Sequence, residues 1–113
     1  MAAIYKICTA AEWAKAEAKG EFAGSAVDIA DGFIHFSTAA QVKETARRHF
    51  AGQPDLVLVA VDPGSLGEAL KWEPSRGGDM FPHLYGALLT GAVLAVHPLP
   101  LQADGEHRFP DGT

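Results

Sequence analysis

Residues 4–8, "IYKIC", place Ile4, Lys6 and Cys8 on one side of an extended chain and Tyr5 and Ile7 on the other, the two-residue period of a strand. Thr9 ends that strand, and Thr9 followed three positions later by Glu12 is a capping box, in which the hydroxyl and the carboxylate satisfy free backbone amides. The spacing predicts a helix over 10–19 that stops at Gly20, with Ala10, Trp13 and Ala14 facing the core and Lys15, Glu17 and Lys19 facing water. Residues 21–31 carry Gly24, Ser25 and Asp28 with no sustained period, and read as a loop with at most a short extended piece.

The next stretch, "DGFIHFST" over 31–38, alternates again: Phe33, His35 and Ser37 share one side, Ile34 and Phe36 the other. Thr38 and Gln41 repeat the capping box and open a second helix that ends near Gly52. Its core stripe is Ala39, Val42, Ala46 and Phe50, and its wet face is Lys43, Glu44, Arg47 and Arg48. "LVLVAVD" over 56–62 is apolar on both faces, as in a strand buried mid-sheet. The turn "DPGSLG" returns the chain into a strand over 69–73, with Ala69, Lys71 and Glu73 opposite Leu70 and Trp72, closed by Pro74. A glycine-bearing loop over 75–82 and the piece 83–91 lead into a last strand, "AVLAVHPL". Helices early and strands late predict an α+β fold of two small antiparallel-rich sheets with two N-terminal helices. The expected division is one domain over 1–101 and an irregular tail over 102–113.

Composition narrows the function classes. With 113 residues, 48% of them hydrophobic and 20% charged, the chain has enough apolar surface for one packed core and too little length for two ordinary domains. Acidic residues outnumber basic ones by 14 to 9, a net charge of −5, so a nucleic-acid surface is not expected. The single cysteine, Cys8, excludes an internal disulfide, and nothing at the start reads as a signal peptide. The longest apolar runs fall far short of the ~20 residues of a membrane helix. The expectation is a cytoplasmic protein whose partner is a small molecule.

Phosphate-loop, dinucleotide, nucleophile-elbow and zinc motifs are all absent. His35 and Ser37 lie two apart, roughly 7 Å between α-carbons, which makes a direct base–nucleophile pair poor. A metal set of His35, His83 and Glu73 has no supporting spacing, so no metal is expected. In "FPHLYG" Pro82 holds Phe81 extended, and His83 and Tyr85 share a face if that piece is a strand. Together His35, Ser37, Trp72, Glu73, Arg76, His83 and Tyr85 supply the rings, donors and acceptors that a small polar or phosphorylated ligand needs: Arg76 can hold an anion and Trp72 can stack on a ring.

"IYKI", Trp13, "DGFIHFST", "KWE" and "FPHLYG" followed by "AVLAV" resemble, in order and spacing from Ile4 to Leu99, the bacterial domain-of-unknown-function family nine-fifty-two. That resemblance implies a small ADP-ribosyltransferase-like fold, two roughly orthogonal sheets that in the transferases grip NAD between them. By it, His35 and Ser37 take the second-strand position and Glu73 that of the late glutamate that steers a nucleophile, which makes His35 and Glu73 the catalytic candidates. Tyr5, Lys6, Ser37, Trp72, Arg76, His83 and Tyr85 become ligand contacts, and NAD a possible cofactor. The first strand departs from the transferase pattern, because it has no histidine or arginine. Two other readings keep the same residues: a non-catalytic module that binds a small metabolite in that cleft, and a fold in which these polar groups only tie the core together.

Overall fold

In the computed structural model, which describes residues 2–113 apart from the side chain of Arg76, the chain runs through β1 (Ile4–Thr9), α1 (Ala10–Lys19), β2 (Glu21–Phe22), α2 (Ala26–Asp31), β3 (Ile34–His35), β4 (Ser37–Thr38), α3 (Ala39–His49), β5 (Leu56–Val61), β6 (Leu70–Pro74), β7 (Met80–Leu84), β8 (Leu88–Leu89) and β9 (Val93–Leu99). The strands pair antiparallel throughout, in a four-stranded sheet ordered β4-β1-β5-β9, a three-stranded sheet ordered β3-β7-β6, and a ribbon of β2 and β8. The fold is thus α+β with the two expected antiparallel sheets and a third small ribbon.

Both faces of the four-stranded sheet are covered, which is why β5 is apolar on each side. Ile4, Cys8, Val59 and Val61 pack with Trp13, Phe22, Ile34, Phe36, Leu84 and Leu88 on one face. Ile7, Leu56, Leu58 and Leu99 pack with Val42 and Ala46 of α3 on the other. α1 is closed as its sequence indicates: the Thr9 and Glu12 amides are both capped reciprocally, and Gly20 ends the helix at φ 87°, a left-handed position that suits glycine. Its buried stripe is Trp13 and Ala16, with Trp13 against Phe22 at 5.9 Å, whereas Ala10 and Ala14 face water. The predicted stripe was one residue pair off, because a helix anchored by one large indole buries the neighbour three positions on and leaves the small side chains to its flanks outside. α3 keeps the expected wet face, with Lys43, Glu44, Arg47 and Arg48 outward, and buries Val42 and Ala46 with Phe50 partly covered, but Ala39, expected in the core stripe, sits in the first turn and is exposed.

Three departures from the sequence reading shape the site. Residues 26–31 form α2, a third helix where a loop was expected. Ser25 and Asp28 are its capping box, and Gly32, at φ 87°, gives its N–H to the Asp28 carbonyl. Val27 and Ile29 on this helix are exposed, so it has no amphipathic period to read. "DGFIHFST" is two short strands that join different sheets: Ile34↔Leu84 and His35↔His83 pair in one, Tyr5↔Ser37 and Ile4↔Thr38 in the other. Phe36 is the crossing point, its N–H given to the Pro82 carbonyl at 3.0 Å and its ring in the core. Residues 80–82, expected as the end of a loop, join 83–84 to form β7, where Pro82 supplies no donor but still accepts through its carbonyl.

The tail returns to the body: Leu101 bridges to His107, which is buried with Nε2 2.7 Å from the Gln53 carbonyl oxygen, and Phe109 packs on the α3 side of the core. Among the described residues no helix is long and apolar enough to cross a membrane.

Thr9→Ala should lower stability by about 1 kcal/mol through loss of the α1 cap, while Ala14→Ser, at a position that faces water, should stay within about 0.5 kcal/mol of the parent. Urea denaturation of the two variants checks both; a large loss for Ala14→Ser would put that residue back in the core.

Candidate functional site

The site is built around one carboxylate that no strand or helix pattern reveals. Asp28 has no exposed side-chain surface. Its Oδ2 accepts from the Ser25 backbone N–H at 2.9 Å and the Ser25 hydroxyl at 3.0 Å, and it pairs with the Lys6 ammonium of β1 at 2.7 Å. Its Oδ1 accepts from the His35 backbone N–H at 3.1 Å and lies 2.6 Å from His35 Nδ1. Gly24 leaves room for this carboxylate, since a Cβ there, at φ 118°, would meet Asp28 Cβ at 2.8 Å. Burial by itself would push the Asp28 carboxyl up, but the bond to His35, the Lys6 ammonium and the Ser25 amide outweigh it and hold the group well below the usual carboxylate range.

His35 and His83 are direct partners across β3 and β7, with ring centroids 5.5 Å apart. Carboxylates stand behind both. His35 Nε2 lies 3.0 Å from Asp31 Oδ2, so each of its ring nitrogens faces an acid. His83 Nδ1 lies 2.8 Å from Glu73 Oε1, and the same oxygen accepts from the Tyr85 hydroxyl at 2.7 Å. Those two bonds, Tyr85 first, hold the Glu73 carboxyl below its ordinary value, and the bond to Glu73 pushes the Tyr85 hydroxyl up. Phe33 stacks on His83 at 4.1 Å and also contacts His35 and Tyr85, so one ring layer fixes both imidazoles. Ser37 Oγ is 2.9 Å from Thr45 Oγ1 of α3.

His35, His83 and Ser37 line a cleft of about 470 Å³ between β1, the start of α2, β3 and β7, and the end of α3. That is a volume in the range of small-ligand sites. Its described lining contains no carboxylate. Lys6, His35, His49 and His83 are its basic groups, Tyr5, Ser25, Ser37, Thr45 and Ser75 its hydroxyls, and Ile7, Val27, Phe36, Phe50 and Phe81 its apolar walls. A larger groove of about 880 Å³ runs between α3 and the tail, but none of the candidate residues touches it and its charges are of both signs, with Arg47 3.7 Å from Glu106.

Of the residues singled out from the sequence, the structure brings Tyr5, Lys6, His35, Ser37 and His83 into one cleft. Glu73 and Tyr85 sit behind His83 and do not line it. Trp72 pairs with Pro82 on the opposite face of β6 from Glu73 and is 46% exposed, so its indole is not placed to stack on a ring in the cleft. The side chain of Arg76 lies outside the described residues. Sequence reasoning missed Asp28, Asp31, Thr45 and His49 as site residues, and placed Phe33 on the face of His35 without a role. The Ser25-x-x-Asp28 box could have revealed α2, but the partners of Asp28 come from β1 and β3 and leave no local signal.

Among the described residues no group of three or more His, Cys, Asp or Glu side chains is placed to hold a metal ion. Burial pushes the Cys8 thiol up to about 12, against the pull of Lys6, which removes it as a nucleophile at neutral pH.

A family model described as "Protein of unknown function (DUF952)" matches residues 7–96. Among solved structures, the crystal structure of protein CC0527 from Caulobacter crescentus is 56% identical, with 94% of this chain and 93% of that chain covered and a TM-score of 0.91. The solution NMR structure of CC0527 is 57% identical over 94% and 91% of the two chains, with a TM-score of 0.84. No curated protein matches this chain.

Asp28→Asn should cost about 3–5 kcal/mol, because it leaves the Lys6 ammonium buried without its counter-charge. The depressed carboxyl sets the acid side of stability. Its contribution is complete above the unfolded value of about 4 and declines as the pH drops below it toward the lower folded value. Urea denaturation between pH 7 and pH 3 reads both effects: the parent should lose stability across that acid range and Asp28→Asn should lose less of it.

Proposed function

We propose that this chain, which belongs to the DUF952 family, binds a nucleotide of the NAD type in the two-histidine cleft, as its resemblance to the ADP-ribosyltransferase fold suggests. The observation that carries the reading is the pairing of His35 with His83 in a cleft whose described lining is basic and hydroxylated and free of carboxylates. Such a donor set suits a phosphate and a ribose, and the apolar walls suit a base. His49 would meet a negative group, since Lys6 and His35 are already engaged by Asp28 and Asp31, while Tyr5 and Phe50 would flank a ring. NAD, when bound in such a site, supplies a glycosidic bond to a good leaving group. The residues of this chain favour holding the ligand over transferring it, because Glu73, which the resemblance would set beside a nucleophile, is engaged by His83 and Tyr85 behind the cleft wall. Glu73 is thus a positioning residue for His83. A cytoplasmic location, where such nucleotides are abundant, belongs to the same reading.

Amide spectra of the labelled chain titrated with NAD and with ADP-ribose test it. Resonances of Tyr5, Ser37, His35 and His83 should move together. His83→Ala should weaken binding by about 2- to 10-fold, the loss of one hydrogen bond of about 0.5–1.5 kcal/mol. No movement at these residues with millimolar ligand would refute the proposal.

A further inference from the structure

Resting on the nucleotide reading above, we infer that His83 meets the ligand as a hydrogen-bond acceptor through Nε2, with its tautomer fixed by Glu73, and so selects a sugar hydroxyl and not a phosphate oxygen. The two histidines are not equivalent. His35 has a carboxylate oxygen within 3.0 Å of each ring nitrogen, so both of its nitrogens are already engaged. His83 has one such partner. Glu73 Oε1 lies 2.8 Å from Nδ1, and an ionised carboxylate can only accept, so the proton of that bond belongs to Nδ1. The Tyr85 hydroxyl donates to the same oxygen and helps to keep Glu73 ionised.

Nε2 makes no hydrogen bond to any described residue. Phe33 covers one ring face at 4.1 Å, His35 meets the ring edge-on at 5.5 Å, and Lys71, cationic, is the direct partner of His83 across β6 and β7. On a residue that lines the cleft, a neutral imidazole with Nδ1 protonated offers a lone pair. A phosphate oxygen, itself an acceptor, finds no donor there, whereas a ribose hydroxyl does. The cleft then reads a nucleotide in two parts: His49 at the end of α3 for a phosphate oxygen, and His83 for its sugar.

Long-range nitrogen–proton spectra of the histidine rings test the assignment in the full chain. At neutral pH, His83 should show a protonated Nδ1 and a bare Nε2. Glu73→Ala, an exchange on an edge strand, should shift the ring toward the Nε2-protonated tautomer while His35 keeps its pattern. Adenosine should move the His83 Nε2 resonance, and 2′,3′-dideoxyadenosine, which lacks both hydroxyls, should bind about 2- to 10-fold more weakly, as expected for one hydrogen bond. A wild-type His83 protonated at Nε2, or an equal response to the two nucleosides, would overturn the acceptor role and leave the cleft as a binding site. Silence of every cleft resonance toward adenosine, NAD and ADP-ribose would overturn the nucleotide reading itself, and the acceptor role with it.

Discussion

The contact between the Asp28 carboxylate and the Lys6 ammonium, at 2.7 Å with both side chains buried, is the constraint on which the rest of the structure turns. Taking two charges out of water is costly, and their mutual attraction offsets that cost only when the remaining hydrogen-bonding capacity is used. Asp28 meets this condition through four further contacts, to the Ser25 amide and hydroxyl and to the His35 amide and ring. The first strand is thereby joined at one point to the start of α2 and the strand after it, some twenty or more positions on. Remove the carboxylate and the ammonium is left with a desolvation cost and no compensation, while α2 loses half its cap.

The same arrangement sets the chemistry of the cleft. Acids stand behind the wall and bases face the space: Asp28 and Asp31 behind His35, Glu73 behind His83. An imidazole held this way has a fixed ring plane and a defined pattern of protons, which is how other sites prepare histidine to recognise or move a proton. The sheets supply the precision. Antiparallel register makes His35 and His83 neighbours and puts Lys71 beside them, and Phe33 stacks over the pair so that neither ring turns without disturbing the other. The glycine at position 24 belongs to the same device, because any side chain there would strike Asp28.

Much of the scaffold was legible from local pattern. β1 and its two faces, the capping boxes of α1 and α3, the buried β5 and the long last strand all follow from periodicity and caps that a reader of the sequence can see. α2 escaped because six residues with Val27 and Ile29 turned outward show no amphipathic period, and the expected alternation of "DGFIHFST" concealed a switch of sheets at Phe36. Of the site, His35 and Ser37 stood out as polar residues in an apolar strand and His83 in a stretch rich in glycine and aromatic residues, whereas Tyr5 and Lys6 entered through the family resemblance. The roles within it did not stand out: that Lys6 is buried against Asp28, or that Glu73 serves His83 from behind, depends on partners 22 and 10 positions away, on different elements. Trp72 shows the same limit in reverse, an aromatic residue conspicuous in sequence that the strand alternation turns to the far face.

A double-mutant cycle on Lys6→Met and Asp28→Asn tests the central claim most directly, since it measures whether the two groups act as one unit. If the buried pair organises the fold, the double variant should be less destabilised than the sum of the single ones, with a coupling energy on the order of 1–3 kcal/mol by urea denaturation at neutral pH. Additive losses would contradict it and would make Asp28 no more than a helix cap.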